Sequence, residues 1–148
     1  MKKIYNKYWL LNRKTVATLV ALLFSAGLTM AQMSGTYTVD STSASSLTTM
    51  NFASFTDLAD SLETYGVNGA VTVNVTAAPN GSYNESVTFG AIFGASSTNT
   101  ITINGNGAKI YRSTPGAVIE LDGADYMTFD NLVVENAATS SNVRCFWV

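Results

Sequence analysis

Very short apolar segments recur in this sequence at an interval of about two dozen residues, and few folds are compatible with such an interval. Each strand ends at a turn residue such as Asn or Gly, and equivalent apolar positions are separated by 24 to 26 residues: Ile103 and Phe129, Ile110 and Val134, Ile119 and Val143, and Leu121 and Cys145. A sandwich of hairpins has no reason to keep such an interval, whereas a solenoid does. The interval predicts three short strands per repeat, each stacked on its counterpart in the next repeat.

The pattern within each segment is typical of strands that bury one face. Val71, Val73 and Val75 alternate with Thr72 and Asn74, and residues two apart share a face of a strand. We therefore expect an all-β fold, a right-handed parallel β-helix (a solenoid), whose core is made of stacked inward residues. The handedness follows from the rule that parallel crossovers are right-handed.

One segment departs from the period of two. Apolar residues recur there at helical spacing: Phe55, Leu58, Ala59 and Leu62. This spacing predicts an amphipathic helix over residues 54–65, with Ser54 capping its first turn and Gly66 ending it. Because the first coil of a solenoid exposes an unpaired edge and an open apolar end, we expect this helix to be an N-terminal cap.

The N-terminal segment has the order of a secretory signal peptide. Five of the eight Lys and Arg residues lie within the first 14 positions, an apolar stretch covers residues 15–30, and Thr29 and Ala31 are the small residues that follow. This order predicts a signal peptide over residues 1–31 that is cleaved after Ala31. A permanent anchor is the alternative, but about sixteen apolar residues fall short of the ~20 that span a bilayer. We therefore expect a secreted or cell-surface protein with no permanent membrane span after signal cleavage.

The remaining sequence divides into two predicted parts. Residues 32–53 predict an N-terminal strand and a Ser/Thr-rich loop, and residues 54–148 predict the capping helix and the first coils of the solenoid. The sequence ends within a predicted strand, whereas repeat folds generally have at least ~3 repeats and a polar cap at each end. We therefore expect a truncated fragment whose stack is extended by continuing coils of the same protein or by another chain. A small periplasmic protein that dimerises near Trp147 is the alternative.

The composition after Ala31 excludes several kinds of chemistry. This part has 3 basic and 10 acidic residues, a net charge of −7, and the whole chain contains no His and one Cys. Without His there is no Ser-His-Asp triad and no His-ligated zinc site, and a single Cys leaves no internal disulfide. The negative charge disfavours nucleic acid. We expect no catalytic residue, no bound cofactor and no nucleic-acid partner.

Two groups of residues are candidates for binding. Outward residues of the first strand family carry hydroxyl and amide groups, and we expect them to face a polysaccharide or cell-surface glycan: Thr72, Asn74, Thr102 and Thr128. Asp122 and Asp125 flank a predicted strand, and clustered carboxylate oxygens suit calcium. The simpler interpretation is that these aspartates stabilise turns, so calcium binding is an alternative to that structural role.

Several segments resemble the opening of pectin-lyase-like proteins, which fold as right-handed parallel β-helices. The similar segments include the entry to the predicted helix, the valine-rich strand, the block GSYNESVTF and the strand NTITI: residues 51–57, 69–75, 81–89 and 99–103. The sequence is most similar to large repetitive surface proteins that Gram-negative bacteria export by the type IX route, and its opening also resembles that of pectinesterases. Members of the type IX kind carry a C-terminal sorting domain, which this sequence does not contain.

The resemblance and the composition lead to two functional hypotheses. The first is the non-catalytic N-terminal part of a secreted cell-surface β-helix protein that serves in adhesion or as a scaffold and contacts glycans. The alternative is the N-terminal part of a polysaccharide lyase, pectinesterase or glycoside hydrolase whose active site lies in missing coils. Turnover of pectin or alginate distinguishes the two, because only the second hypothesis predicts a product.

Overall fold

Apart from one helix, the regular secondary structure of residues 31–148 consists of short strands. The computed structural model describes residues 31–148, so the predicted signal peptide, apart from Ala31, lies outside the described residues. These residues contain the helix α1 (Phe55–Tyr65) and the strands β1 (Met33–Val39), β2 (Asn51–Phe52), β3 (Val67–Val75), β4 (Tyr83–Asn84), β5 (Val87–Gly90), β6 (Ile101–Asn104), β7 (Lys109–Arg112), β8 (Gly116–Asp122), β9 (Met127–Asp130), β10 (Val133–Asn136) and β11 (Val143–Trp147). The prediction of an all-β fold is confirmed.

The strands form three sheets, which the chain visits repeatedly in the same order. Sheet A has the strand order β2-β1-β3-β6-β9, sheet B the order β10-β7-β4 and sheet C the order β11-β8-β5. The pairings between these strands are all parallel. From β3 onward the chain passes from sheet A to sheet B to sheet C three times, and each strand pairs with its counterpart from the next passage.

The register confirms the predicted stacking in two of the three strand families. Ile103 pairs with Phe129 in sheet A, and Ile110 pairs with Val134 in sheet B. Both isoleucines are completely buried. Residues about two dozen apart therefore lie side by side on neighbouring strands in these sheets.

The predicted register of sheet C is wrong. Its last two strands pair with an offset of 27 residues rather than 24: Gly116 with Val143 and Ile119 with Phe146. The cause is a difference in loop length, because residues 113–115 connect β7 to β8 whereas residues 137–142 connect β10 to β11. The three additional loop residues shift the following strand by the same number. The predicted pairs of Ile119 with Val143 and of Leu121 with Cys145 are both displaced by this shift.

Turns between sheets A and B use Asn in the left-handed region of backbone conformation. Asn106 has φ 52° and Asn131 has φ 46°, as expected of a residue type that tolerates positive φ. The N–H of Gly107 donates to the carbonyl of Asn131 at 2.7 Å. Successive turns are therefore hydrogen-bonded to each other, like the strands that they connect.

Three phenylalanines form a row of contacting rings, and their exposure to solvent increases toward one end of the row. The ring centroids of Phe89 and Phe129 are 5.9 Å apart and those of Phe129 and Phe146 are 5.4 Å apart, both with edge-to-face geometry. Phe89 is 0 % exposed, whereas Phe146 is 42 % exposed. Phe146 belongs to β11, which with β9 and β10 forms the last strand edge of each sheet.

The helix α1 forms where it is predicted. The Ser54 hydroxyl oxygen accepts a hydrogen bond from the N–H of Asp57 at 3.0 Å, and the N–H of Gly66 donates to the carbonyl of Leu62 at 2.9 Å. The helix packs against β5, β1 and β2 through its buried apolar face: Phe55, Leu58, Ala59 and Leu62. No helix within residues 31–148 has the length and apolar character needed to cross a membrane.

Two carboxylates hold α1 against the sheets. Glu85 accepts hydrogen bonds from the N–H of Phe55 at 2.9 Å and from the N–H and hydroxyl of Thr56 at 3.0 and 2.7 Å. Glu63, on α1 itself, accepts a hydrogen bond from the N–H of Gly90 at 2.6 Å. A carboxylate at the first turn of a helix is favoured by the helix dipole, so Glu85 both satisfies free donors and positions the helix.

Candidate functional site

The outer face of sheet A carries a row of four threonines in register. Thr36 pairs with Thr72, Thr72 with Thr102, and Thr102 with Thr128. Thr36 and Thr128 are exposed, and the two between them are half-buried. Because neighbouring strands lie about 4.7–4.9 Å apart, the hydroxyl groups recur at that spacing along a line that crosses the strands.

A second row lies beside the first, two residues further along each strand. Its members pair in the same order across β1, β3, β6 and β9: Thr38, Asn74, Asn104 and Asp130. The Nδ2 of Asn104 donates to the Oδ1 of Asn74 at 3.1 Å, so the two central amides are aligned by a direct bond. We call the eight residues of the two rows the polar face.

The strands that carry the polar face are anchored by core residues that lie between its members. Val73 and Ile103 separate the two rows on β3 and β6 and are 0 % exposed. Threonine is branched at Cβ, which restricts its side-chain rotamers in a strand. Within residues 31–148 the hydroxyls of the threonine row form no hydrogen bond to another protein group, and no buried side-chain oxygen lacks a partner. The hydroxyls of the threonine row are therefore available to form hydrogen bonds with water or a ligand.

The polar face is nearly neutral. Asp130 is its one charged residue, and the strands of sheet A contain no Lys or Arg. The three cations among residues 31–148 lie on the other sheets and are engaged there: Lys109 with Glu135 (3.1 Å), Arg112 with the carbonyl of Ala117 (2.8 Å) and Arg144 over the ring of Trp147 (3.5 Å).

The four residues predicted to face a ligand lie together on the polar face: Thr72, Asn74, Thr102 and Thr128. The sequence analysis missed the other four members: Thr36, Thr38, Asn104 and Asp130. The signal for them is the triplet Thr-x-Thr, Thr-x-Asn or Thr-x-Asp, which occurs once in each of β1, β3, β6 and β9. Contact of any of the eight with a ligand stays a prediction.

The two calcium candidates lie at the end of β8 and in the connection from β8 to β9. Asp122 ends β8 and pairs with Gly90, and Asp125 precedes Tyr126, which has φ 58°. Both aspartates are exposed. Among the residues that the structure describes, no group of three or more His, Cys, Asp and Glu side chains is placed to hold a metal ion. Calcium binding at this pair stays a prediction, and the positions fit a turn role.

A shallow groove of about 370 Å³ lies beside sheets B and C, and its lining includes both an acid and a base: Asn84, Glu85, Ser86, Tyr111, Arg112, Ser113 and Thr114. Both charged groups have structural partners. Glu85 binds the start of α1, and the Nε of Arg112 donates to the hydroxyl of Thr114 at 2.8 Å. Among the threonines of the polar face, by contrast, Thr38 is the one within residues 31–148 whose hydroxyl has a protein partner, the Oδ1 of Asn51 at 2.6 Å. The polar face is therefore the better candidate site.

Comparisons with known proteins identify no relative of this chain. Family models, curated proteins and solved structures all give no match. The choice of the polar face as the candidate site therefore rests on the geometry and chemistry of its residues alone.

Proposed function

We propose that this chain is a right-handed parallel β-helix of the pectin-lyase-like kind in which α1 caps the first coil. The repeated passage through sheets A, B and C supports this architecture, and the crossover rule supplies the handedness. The cap is supported by the packing of α1 on β2 and β5, which are edge strands of sheets A and C. The apolar face of α1 covers a sheet end that would otherwise face water.

The proposed role is that of a secreted, non-catalytic adhesion or scaffold module that contacts glycans through the polar face. The observation that carries this proposal is the pair of polar rows in register, with hydroxyl and amide groups that match the hydroxyl groups of sugars. Each hydrogen bond of this kind contributes about 0.5–1.5 kcal/mol. Hydrolysis of a glycoside requires two carboxylates about 5–9.5 Å apart, and the polar face contains one, Asp130.

A glycan array tests this role. The full chain is produced in a bacterial host, and the exported product is applied to plant, bacterial and animal glycans. Binding that is weakened by Thr102→Val and retained by Thr88→Val supports the proposal, because Thr88 is an exposed strand threonine on sheet C. Failure to bind any glycan would remove the adhesion role, and the mass of the exported product checks cleavage after Ala31.

The same preparation tests the enzyme alternative. It is incubated with pectin and with alginate, and the polymers are analysed for shortened chains, unsaturated ends and released methanol. We expect no product. Any turnover by the purified chain that exceeds a mock preparation would overturn the non-catalytic proposal.

A further inference from the structure

We infer that the shallow groove beside sheets B and C binds a small molecule that carries an oxyanion, a carboxylate or a phosphate group, with Arg112 as the anchor. The groove has a volume of about 370 Å³, and hydroxyl and amide side chains line it beside Arg112: Asn84, Ser86, Ser113 and Thr114. It shares no residue with the polar face, so this inference does not depend on the proposed glycan contact.

The guanidinium of Arg112 is held in place but keeps free donors. Its Nε donates to the hydroxyl of Thr114 at 2.8 Å, and its Nη1 donates to the carbonyl of Ala117 at 2.8 Å. A guanidinium has five N–H donors, and both of those on Nη2 remain. Among the residues that the structure describes, no buried side-chain nitrogen lacks a partner, so the unpartnered Nη2 is open to solvent. Arg112 is therefore a preorganised cation from which a ligand displaces water alone.

The carboxylate nearest to Arg112 along the strands is engaged elsewhere. Asn84 pairs with Tyr111 between β4 and β7, and Glu85 and Arg112 are the residues that follow this pair. Within residues 31–148 there is one ion pair, and Arg112 is not part of it. Glu85 instead accepts hydrogen bonds from the first turn of α1, where the helix dipole offsets its charge. An external anion can therefore take the place beside Arg112 that Glu85 does not fill.

The side chains around Arg112 supply further donors. Ser86 and Ser113 are exposed, and their hydroxyls form no hydrogen bond to another group in the described part of the chain. The Oδ1 of Asn84 accepts a hydrogen bond from the hydroxyl of Ser82 at 2.9 Å, which leaves the amide N–H groups of Asn84 free. Hydrogen bonds to an ionised acceptor are roughly twice as strong as those to a neutral one. One fixed cation among several neutral donors therefore favours an anionic group.

The size and charge of the surroundings favour a small ligand with a single charged group. A volume of about 370 Å³ is at the low end of small-molecule sites, which measure about 300–1,000 Å³. A second hollow of about 330 Å³ adjoins the groove at Asn84 and Glu85, and its lining includes Ala78 and Pro79. An uncharged part of the ligand can lie there. The net charge of −7 after Ala31 would repel a polyanion beyond the groove.

NMR titrations of the exported full chain test the inference. Inorganic phosphate and acetate are added separately at constant ionic strength, with chloride as the reference, and amide shifts are followed. Arg112→Gln removes the guanidinium, and Lys109→Gln is the matched control because it removes one positive charge from the same strand. We expect saturable shifts at residues 84–86 and 111–114 with at least one of the two anions. Arg112→Gln should weaken the affinity tenfold or more, and Lys109→Gln should leave it unchanged.

A second variant keeps the test decisive if Arg112→Gln does not fold. Ser86→Ala/Ser113→Ala removes two exposed hydroxyls that have no protein partner within residues 31–148, and it should weaken binding severalfold. Saturation by phosphate alone or by acetate alone identifies which oxyanion the groove accepts. Absence of saturable shifts with both anions, shifts confined to other residues, or equal affinity in the Arg112 and serine variants would overturn the inference. None of these outcomes bears on glycan binding at the polar face, which the array tests separately.

Discussion

The two ends of the strand stack differ in what covers their apolar residues. At the end formed by β2, β4 and β5, α1 lies against the sheets and Phe89 is 0 % exposed. At the end formed by β9, β10 and β11, large apolar side chains reach solvent: Val133 (47 % exposed), Phe146 (42 %) and Trp147 (42 %). Both ends have the same alternating strand pattern, so the pattern alone does not decide burial.

Burial in this fold is therefore supplied by the neighbouring layer, whether that layer is a strand or the helix. Phe129 is partly buried because it lies between Phe89 and Phe146 in one aromatic row. Phe146 lies on the edge strand β11, which pairs only with β8, whereas Phe89 lies on β5, against which α1 packs. The stabilising effect of equivalent residues should therefore fall along the row.

Alanine substitutions along the aromatic row test the contrast directly. Phe89→Ala should lower the free energy of unfolding by about 3–5 kcal/mol, because it leaves a cavity in a fully buried site. Phe146→Ala removes the same atoms from a site that is 42 % exposed and should cost about 1 kcal/mol. Urea unfolding followed by circular dichroism measures both, and equal losses would contradict the contrast between the two ends.

Substitution of Gly66, the glycine that ends α1, tests how closely the end of the helix packs against Phe93. Gly66 has φ 65°, and a Cβ there would lie 2.5 Å from the carbonyl oxygen of Phe93. Gly66→Ala should therefore lower stability by about 2–3 kcal/mol through backbone strain and overpacking. Gly81 has φ 83° with nothing within 4 Å of such a Cβ, so Gly81→Ala reports strain alone, about 1 kcal/mol. A thermal or urea unfolding curve that gives the same loss for both variants would exclude a steric contribution at Gly66.

The carboxylate at the start of α1 tests the attachment of the helix. Glu85→Gln leaves one acceptor oxygen for the donors on Phe55 and Thr56 and removes the negative charge that favours the helix dipole. We expect a loss of about 1–2 kcal/mol. Glu135→Gln is the control at the other end, where the carboxylate forms an exposed pair with Lys109, and it should cost less than about 0.5 kcal/mol. If Glu135→Gln were less stable in urea than Glu85→Gln, the contact of Glu85 with the start of α1 would not be what holds the helix.

The smallest expected change in stability is the one that Asp40, in the loop after β1, contributes at acidic pH. Hydrogen bonds from the hydroxyl and the backbone N–H of Thr42 lower the pKa of Asp40 below its usual 3.8. As the pH falls, Asp40 is protonated in the unfolded chain before it is protonated in the folded chain. The stabilisation that ionised Asp40 gives the folded state is therefore present above pH 3.8 and is lost as the pH falls through the lower pKa of the folded state. Asp40→Asn should therefore lose less stability than the unchanged protein between neutral pH and about pH 2. Urea midpoints measured across that range check this, and identical pH profiles would contradict it.

Local signals in the sequence were sufficient for the helix and for two strand families. Ser54, the apolar spacing and Gly66 are all within α1 or next to it, so its bounds follow from nearby residues. The pairs of Ile103 with Phe129 and of Ile110 with Val134 follow from intervals of 26 and 24 residues. The two intervals differ because residues 105–108 connect β6 to β7, whereas only residues 131–132 connect β9 to β10.

Register could not be predicted where it depends on a loop. The interval placed Val143 beside Ile119, but the longer loop at 137–142 moves Val143 beside Gly116. The polar face was incomplete for a related reason. Thr36 pairs with Thr72 across a separation that includes α1 and a loop, and no fixed interval relates the two.

The variable corner between sheets B and C has a practical consequence. Its connections contain residues 85–86, 113–115 and 137–142, yet the strands on both sides remain paired. Chain length added at an exposed loop costs little closure entropy, so this corner can accept a grafted peptide. An epitope inserted between residues 139 and 140 would lie at this corner rather than on sheet A, so the domain could carry a cargo while its polar face stays uncovered.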